Sequence, residues 1–162
     1  RIFIKLSYRF GFSKLLSMPK MLALDPTNLC DLKCPLCPTG LRDKTIERGS
    51  IKLEQFKTII DRLAKHLQSI NLYSWGEPLL HKSLVDMIRH TAISHKIRTI
   101  TSVHLGNLSD EQVEGLATSR LDKLIVSVDG ATQEVYEKYR VGGNIEKVFT
   151  NMRRLMEAKK TT

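Results

Sequence analysis

All three cysteines of this 162-residue chain, Cys30, Cys34 and Cys37, fall within one eight-residue stretch. Thiolates on one short loop can converge on a soft metal centre. A [4Fe–4S] cluster normally takes four protein ligands, so three cysteines would leave one iron open to bind a further molecule. An odd, clustered set argues against a disulfide scaffold and for a reducing compartment. We therefore predict a metal centre on these cysteines in a cytoplasmic protein.

A zinc site on the same cysteines is the main alternative, and it would make the chain a non-catalytic metal-binding module. Such a site would combine the three thiolates with a distant histidine. Five histidines are available, and none has the usual short Cys–His spacing: His66, His81, His90, His95 and His104. Three unrelated buried cysteines would not be expected to cluster, so a metal centre is favoured. The cysteines alone do not decide between an iron–sulfur cluster and zinc.

Other residues suited to ligand binding follow predicted strands. Gly76, Glu77 and Pro78 come after the second strand, where a glycine lets backbone carbonyls approach a ligand and a carboxylate attracts an ammonium group. Ser102 and His104 lie at the end of the third strand, and the role of His104 is open. Ser127, Asp129 and Arg140 follow the fourth, and an arginine can bind a carboxylate through two hydrogen bonds.

The hydrophobic pattern predicts strands that alternate with helices. Strands are expected at 21–25, 70–74, 96–103 and 124–129, and helices after Ser50, at 80–94, after a capping box at 109–112, and at 132–139 and 145–159. This alternation indicates parallel strands with right-handed crossovers, and both an open doubly wound sheet and a barrel satisfy it. Ligands of such folds bind at the carboxyl ends of the strands, which is where the chemically interesting residues fall.

The segment 25–38, DPTNLCDLKCPLCP, resembles the cysteine loop of radical S-adenosylmethionine (SAM) enzymes. Residues 75–78, WGEP, resemble the GGEP motif of that family. Residues 127–130, SVDG, with Tyr139 and Arg140 downstream are similar to a pattern in members that carry a C-terminal SPASM-type auxiliary-cluster domain. Two positions depart from the family: Leu36 replaces a frequent aromatic residue, and 101–106, TSVHLG, replaces a Thr-Asn-Gly-like turn.

The resemblance implies the cofactors, the reaction and the fold. A [4Fe–4S] cluster on Cys30, Cys34 and Cys37 would pass an electron to SAM, giving a 5′-deoxyadenosyl radical that abstracts hydrogen from a substrate. The electron donor would be a flavodoxin or ferredoxin, and a peptide or protein substrate is suggested only by analogy with SPASM-type members. The fold would be α/β, the first four βα units of a six-unit partial barrel. The expected SAM contacts are Gly76, Glu77, Pro78, Ser102, Ser127, Asp129 and Arg140.

The distribution of charged residues changes at about residue 20. The net charge is +9, and the first twenty residues hold five basic groups and no acid. We predict an N-terminal extension at 1–19, either an interfacial amphipathic helix or a cap packed on the core, and the N-terminal part of a radical SAM domain at 20–162. No nucleic-acid motif accompanies the charge, and no apolar run is long enough for a membrane helix.

The chain starts at Arg1 and its last predicted element is a helix, so we expect a fragment that lacks the C-terminal strands and any auxiliary domain. Such a fragment should be marginally soluble and should cleave SAM slowly.

Overall fold

A computed structural model of the protein describes residues 2–12 and 18–162. Four strands form one parallel sheet with neighbours in chain order: β1 (Met21–Ala23), β2 (Ser69–Asn71), β3 (Arg98–Val103) and β4 (Lys123–Val126). The helices are α1 (Ile2–Phe10), α2 (Leu53–Leu63), α3 (Leu84–Arg89), α4 (Asp110–Thr118), α5 (Gln133–Tyr139) and α6 (Ile145–Lys160). The predicted parallel α/β alternation is confirmed.

The core lies between this sheet and the helices that connect its strands. The apolar faces predicted for α2 and α3 are buried there, with Phe56, Ile60, Met87 and Ile88 each 0% exposed. Buried polar groups on β3 are paired: Thr101 Oγ1 donates to a backbone carbonyl of the adjoining strand segment at 2.8 Å. Because every strand runs in the same direction, the loops after the strands meet at one edge of the sheet, and this edge holds the predicted site.

The predicted helix at 80–94 is interrupted in the structure. A 3-10 turn (Pro78–Leu80) comes first, α3 begins only at Leu84, and the last turn widens into a π-helical segment (His90–Ser94). The hydroxyl of the buried Thr91 accounts for part of this widening. It donates to the carbonyls of Met87 and Ile88 and lies 2.7 Å from Thr99 Oγ1 on β3, so its position is set by the sheet as well as by the helix.

The N-terminal segment also differs from its prediction. The predicted extension runs to residue 19, but α1 ends at Phe10, and Gly11 follows it with a φ of +62°; residues 13–17 lie outside the described part. A glycine in this left-handed conformation commonly terminates a helix. Tyr8 and Phe10 are 92% and 62% exposed, so the interpretation of this segment as a cap on the core is wrong for these side chains.

Within residues 2–12 and 18–162, no helix combines the length and apolarity that a membrane crossing requires.

Candidate functional site

The cysteine loop connects β1 to α2, and hydrogen bonds tie its two ends together. The backbone N–H of Asn28 donates to the Gly49 carbonyl (3.1 Å), and the Asn28 side chain accepts from the Gly49 N–H (2.8 Å) and donates to the Glu47 carbonyl (2.7 Å). Thr27 Oγ1 donates to the same Gly49 carbonyl at 3.1 Å. The three cysteines therefore lie on a closed loop whose base is fixed.

The thiols themselves are free and differ in exposure. Cys34 is buried, and Cys30 and Cys37 are half-buried. Burial raises the pKa of the Cys34 thiol, the neighbouring Arg140 lowers it, and the other two cysteines raise it because nearby thiolates repel one another. A bound cation or cationic cluster would remove this repulsion, since metal binding and thiol deprotonation are coupled. The donor set is therefore suited to a soft metal centre.

Gly76 brings the loop after β2 into contact with the start of the cysteine loop. A Cβ atom on Gly76 would lie only 1.8 Å from the Thr27 carbonyl oxygen, so no other residue fits without movement of the backbone. Two hydrogen bonds hold the same approach: the Glu77 N–H donates to the Leu29 carbonyl (2.8 Å), and the Trp75 N–H donates to Asp25 (2.9 Å). The two loops thus form one rigid wall.

The Glu77 carboxylate plays a different part from the one predicted. It is buried, one oxygen accepts from the Leu79 N–H (3.2 Å), and the other accepts from the His104 N–H (2.8 Å). Burial raises the pKa of Glu77, and these amide bonds oppose that effect. A buried carboxylate needs such partners, so the side chain joins the ends of β2 and β3 instead of being available to attract an ammonium group.

His104 joins the same network from β3. Its Nε2 lies 2.8 Å from Asp31, beside the first cysteine, and its Nδ1 accepts from the Gly106 N–H at 3.0 Å. Burial is the largest single effect and opposes protonation of the ring, but the hydrogen bonds to Asp31 and Cys30 and the charges of Glu77 and Asp31 together outweigh it and raise the pKa of His104 to about 10. The bond from the Gly106 N–H needs the lone pair of Nδ1, so the geometry shown is that of a ring protonated at Nε2; protonation of Nδ1, which the raised pKa favours at neutral pH, would break this bond.

This geometry bears on the zinc alternative. A ring nitrogen of His104 lies within 4.8 Å of Cys30 Sγ, so the fold does bring a histidine to the cysteines. Both of its ring nitrogens are already bonded to the protein, Nε2 to Asp31 and Nδ1 to Gly106. His104 is therefore a positioning residue for the cysteine loop in this arrangement, and its ring offers no free lone pair for a fourth zinc bond.

Arg140 lies on the opposite side of the cysteines. Its Nε donates to Asp129, and its positive charge lowers the pKa of the buried Cys34. The side chain of Arg140 is 20% exposed, so part of the guanidinium can still bind a ligand. The loop after α5 is joined to the cysteine loop through a bond from the Lys33 N–H to the Val141 carbonyl (2.9 Å).

A pocket of about 240 Å³ lies between these walls. Of the residues predicted to bind metal or cofactor, it is lined by Cys30, Cys34, Cys37, Gly76, Glu77, Ser102, Ser127 and Arg140. Ser102 and Ser127 come from neighbouring strand ends, and their hydroxyl oxygens are 3.3 Å apart. Pro78 and Asp129 do not line it: Pro78 is buried in the turn after Glu77, and Asp129 reaches the pocket only through Arg140.

Several lining residues were not predicted from the sequence: Leu36, Tyr73, Ser74, Trp75, Val103 and Tyr139. Each lies within three positions of a predicted residue, so the position near the end of a strand or beside a motif was the available signal. The contact between His104 and Asp31 was missed as well, and no local pattern indicates it because the two residues are 73 positions apart.

Comparison with known proteins identifies the family. The family model described as Radical SAM superfamily matches residues 24–162. The chain belongs to the radical SAM superfamily. Radical SAM proteins use a [4Fe–4S] cluster and SAM, and the relatives named below are enzymes, as this protein is.

Two relatives illustrate the range of chemistry in this family. The AdoMet-dependent heme synthase of Methanosarcina barkeri is 27% identical over 141 residues, which are 86% of this chain and 40% of that protein. The PqqA peptide cyclase of Rhodopseudomonas palustris is 33% identical over 129 residues, 78% of this chain and 32% of that protein. The chain thus spans about a third to two fifths of the length of these relatives.

Solved structures show the same fold. Streptococcus suis SuiB bound to S-adenosylmethionine superimposes with a TM-score of 0.76 at 18% identity, covering 98% of this chain and 35% of SuiB. A structure of anSMEcpe with bound AdoMet gives a TM-score of 0.67 at 18% identity, and the match covers 87% of this chain and 42% of anSMEcpe. The predicted fold, part of a radical SAM barrel, is confirmed.

Proposed function

We propose that the pocket beside Cys30, Cys34 and Cys37 binds SAM and that the protein uses it for hydrogen abstraction. When bound, the cluster and SAM supply a 5′-deoxyadenosyl radical, the species that removes a hydrogen atom from substrate. The observation that carries this proposal is the common lining of one pocket by the three cysteines and by the ends of β2, β3 and β4. Convergence of several strand ends on one pocket is typical of ligand sites in parallel α/β folds.

Each wall of the pocket has a proposed task. The three cysteines hold the cluster, and the backbone of Gly76 and Glu77 offers carbonyl oxygens to the SAM ammonium group. The tight contact between Gly76 and Thr27 supports this assignment, because it fixes those carbonyls relative to the cysteine loop. Pro78 fixes the exit of the turn.

The remaining polar residues suit the carboxylate and hydroxyl groups of SAM. Arg140 would bind the carboxylate, and Asp129, which accepts a hydrogen bond from Arg140, would hold the guanidinium in place. Ser102 and Ser127 lie together on adjacent strand ends and would hydrogen-bond to polar groups of the same ligand. Trp75 and Tyr139, which also line the pocket, would limit access of water.

The substrate, partners and location of the protein belong to the same proposal. A peptide or protein substrate is supported by relatives named for peptides, the PqqA peptide cyclase and a SuiB structure with its precursor peptide SuiA. We propose a flavodoxin or ferredoxin as electron donor, and the cytoplasm as location because the three free cysteines suit a reducing compartment. We further propose that residues 20–162 form the N-terminal part of the catalytic domain, with 1–19 as an extension.

The test is SAM cleavage by anaerobically reconstituted protein under a strong chemical reductant. We expect 5′-deoxyadenosine and methionine in equal amounts, at a slow rate without substrate, and loss of both products in Cys30→Ala, Cys34→Ala or Cys37→Ala. Arg153→Ala is a suitable control because Arg153 is exposed on α6, outside the pocket. Stoichiometric zinc, with no iron incorporated and no SAM cleaved, would refute the proposal and favour the zinc module.

A further inference from the structure

A second cluster of metal-binding side chains lies outside the cysteine pocket. Asp61 stands near the end of α2, His90 begins the π-helical segment, and His95 directly follows it. Their ligand atoms, a carboxylate oxygen and two imidazole nitrogens, all lie within 4.8 Å of one another. These three residues belong neither to the motifs that resemble those of the family nor to the lining of the cysteine pocket.

The geometry of the three side chains is convergent. His90 Nε2 and His95 Nε2 lie 2.8 Å and 2.7 Å from the same oxygen, Asp61 Oδ1. The two rings are 4.8 Å apart between centroids and nearly perpendicular, at 80°. The two imidazole nitrogens converge on this carboxylate oxygen, and a donor set of two nitrogens and one carboxylate oxygen is one that open zinc sites use.

The π-helical segment is what brings the two histidines together. In an α-helix, residues five apart are separated by about 140° around the axis, so His90 and His95 would face different directions. The wider turn at 90–94 rotates His95 back toward the side of His90. Single π-helical turns occur frequently at functional sites, and here the turn has a definite consequence, the convergence of two imidazoles on one carboxylate.

Exposure and chemistry determine which ion would fit. The side chains of His90, His95 and Asp61 are 17%, 25% and 55% exposed, so a bound ion would be reached by water and could complete its coordination from solvent. Imidazole together with a carboxylate suits first-row divalent ions such as Zn²⁺ better than Ca²⁺ or Mg²⁺. A tetrahedral zinc needs a nitrogen–oxygen separation of about 3.3 Å, which a small movement of the exposed Asp61 side chain provides.

The position of this cluster in the fold indicates its role. α2 and the segment 84–95 both run from the carboxyl ends of the strands to their amino ends, and His95 lies shortly before β3 begins at Arg98. The cysteines follow β1, at the opposite edge of the sheet. In βα barrels the edge at the amino ends of the strands serves stability, while chemistry takes place at the other edge.

We propose that Asp61, His90 and His95 form a second metal site, which binds one first-row divalent ion such as Zn²⁺ and links α2 to the turn before β3. The ion would replace the hydrogen bonds in which the two imidazoles share one carboxylate. Its role would be structural, because it would connect two elements at the edge of the sheet remote from the cysteines.

The experiment uses cluster-loaded protein under anaerobic conditions, titrated with Zn²⁺ up to one equivalent and analysed by calorimetry and by metal content after gel filtration. We expect one zinc per chain with the iron content unchanged. Affinity should fall at least about tenfold in His90→Gln, His95→Gln and Asp61→Asn. His66→Gln is the matched control, since His66 lies outside the cluster, and it should bind as the wild type does.

Thermal denaturation gives an independent readout. The quantity compared is the shift in melting temperature that zinc causes in each protein, so a variant that is less stable without zinc can still be tested. A saturating concentration of Zn²⁺ should raise the melting temperature of the wild type and of His66→Gln by about 3–6 °C, and leave that of each cluster variant unchanged. Zinc binding that is equal in the wild type and in His90→Gln/His95→Gln, or no zinc retained by the wild type, would overturn the proposal. In either case the three side chains form only a hydrogen-bonded group.

Discussion

Gly76 is the residue at which the smallest change should have the largest effect. In Gly76→Ala, a Cβ would collide with the backbone of Thr27, which cannot move without shifting the cysteine loop. We expect loss of SAM binding to cluster-loaded protein and a fall in the free energy of unfolding of about 2 kcal/mol or more. Calorimetry and urea denaturation measure the two effects.

Gly49→Ala is the control for this change. Gly49 belongs to the cysteine loop that Gly76 approaches, but a Cβ on Gly49 would meet nothing within 4 Å. Its variant should bind SAM as the wild type does. If both glycine variants behave alike, the close approach of the two loops does not form the SAM site.

Arg140 provides a second test at the level of a single side chain. A charged hydrogen bond to the SAM carboxylate contributes about 1.5–3 kcal/mol, so Arg140→Ala should weaken SAM binding by about 10- to 100-fold. Arg140→Lys keeps the charge but loses the forked geometry, so its affinity for SAM should lie between those of the wild type and Arg140→Ala. Calorimetry on cluster-loaded protein, with Arg153→Ala as control, measures this series; equal affinities for all would remove Arg140 from the site.

Single residues also show where prediction from sequence ends. The cysteines, Ser102, Ser127 and Arg140 could be found because each has a suitable side chain at the end of a predicted strand. The role of the Glu77 carboxylate could not be found, because it depends on which backbone amides the fold places beside it. A buried hydrogen-bond network reflects the relative position of two strands, and sequence spacing alone does not contain that information.

Among the elements, α4 is the one whose start is specified most clearly. Ser109 accepts a hydrogen bond from the Gln112 N–H, and the Gln112 side chain bonds back to the Ser109 N–H. The Gln112 side chain also donates to the Leu79 carbonyl at 2.7 Å, which joins α4 to the turn after Glu77. The capping box predicted at 109–112 is confirmed.

Ser109→Ala should therefore lower the free energy of unfolding by about 1 kcal/mol. Ser83→Ala is a matched control, because Ser83 precedes α3 in the equivalent position but its side chain makes no capping hydrogen bond. Urea denaturation should show a lower midpoint with an unchanged slope for Ser109→Ala, and little change for Ser83→Ala. Equal losses would mean that the hydroxyl of Ser109 contributes nothing as a cap.

The existence of elements was easier to predict than their internal form. Hydrophobic spacing at 80–94 correctly indicated an inward face with Leu84, Met87, Ile88 and Thr91, all of which are buried. It could not indicate the π-helical turn, because that turn depends on tertiary contacts, among them the Thr91–Thr99 hydrogen bond to β3. The same turn is what brings His90 and His95 together.

For the molecule as a whole, the parallel direction of the strands followed from the alternation of strands and helices. The strand order did not follow from it: each strand lies beside the next one in the chain, which is the order of the barrel that the family resemblance implied. Within the described residues β4 pairs only with β3. The expectations of marginal solubility and slow SAM cleavage stay predictions, and an exposed parallel edge is the physical reason for the first.

The central claim, that three cysteines hold a cluster with one iron open to SAM, is tested most directly by electron paramagnetic resonance. Anaerobically reconstituted protein, reduced and frozen, should give the signal of one reduced [4Fe–4S] cluster per chain. Addition of SAM should change the shape and position of that signal, because the proposed site would place SAM on the open iron, in the pocket that Gly76 and Arg140 line. A cluster signal that SAM leaves unaltered, or stoichiometric zinc in protein that never takes up iron, would contradict this account.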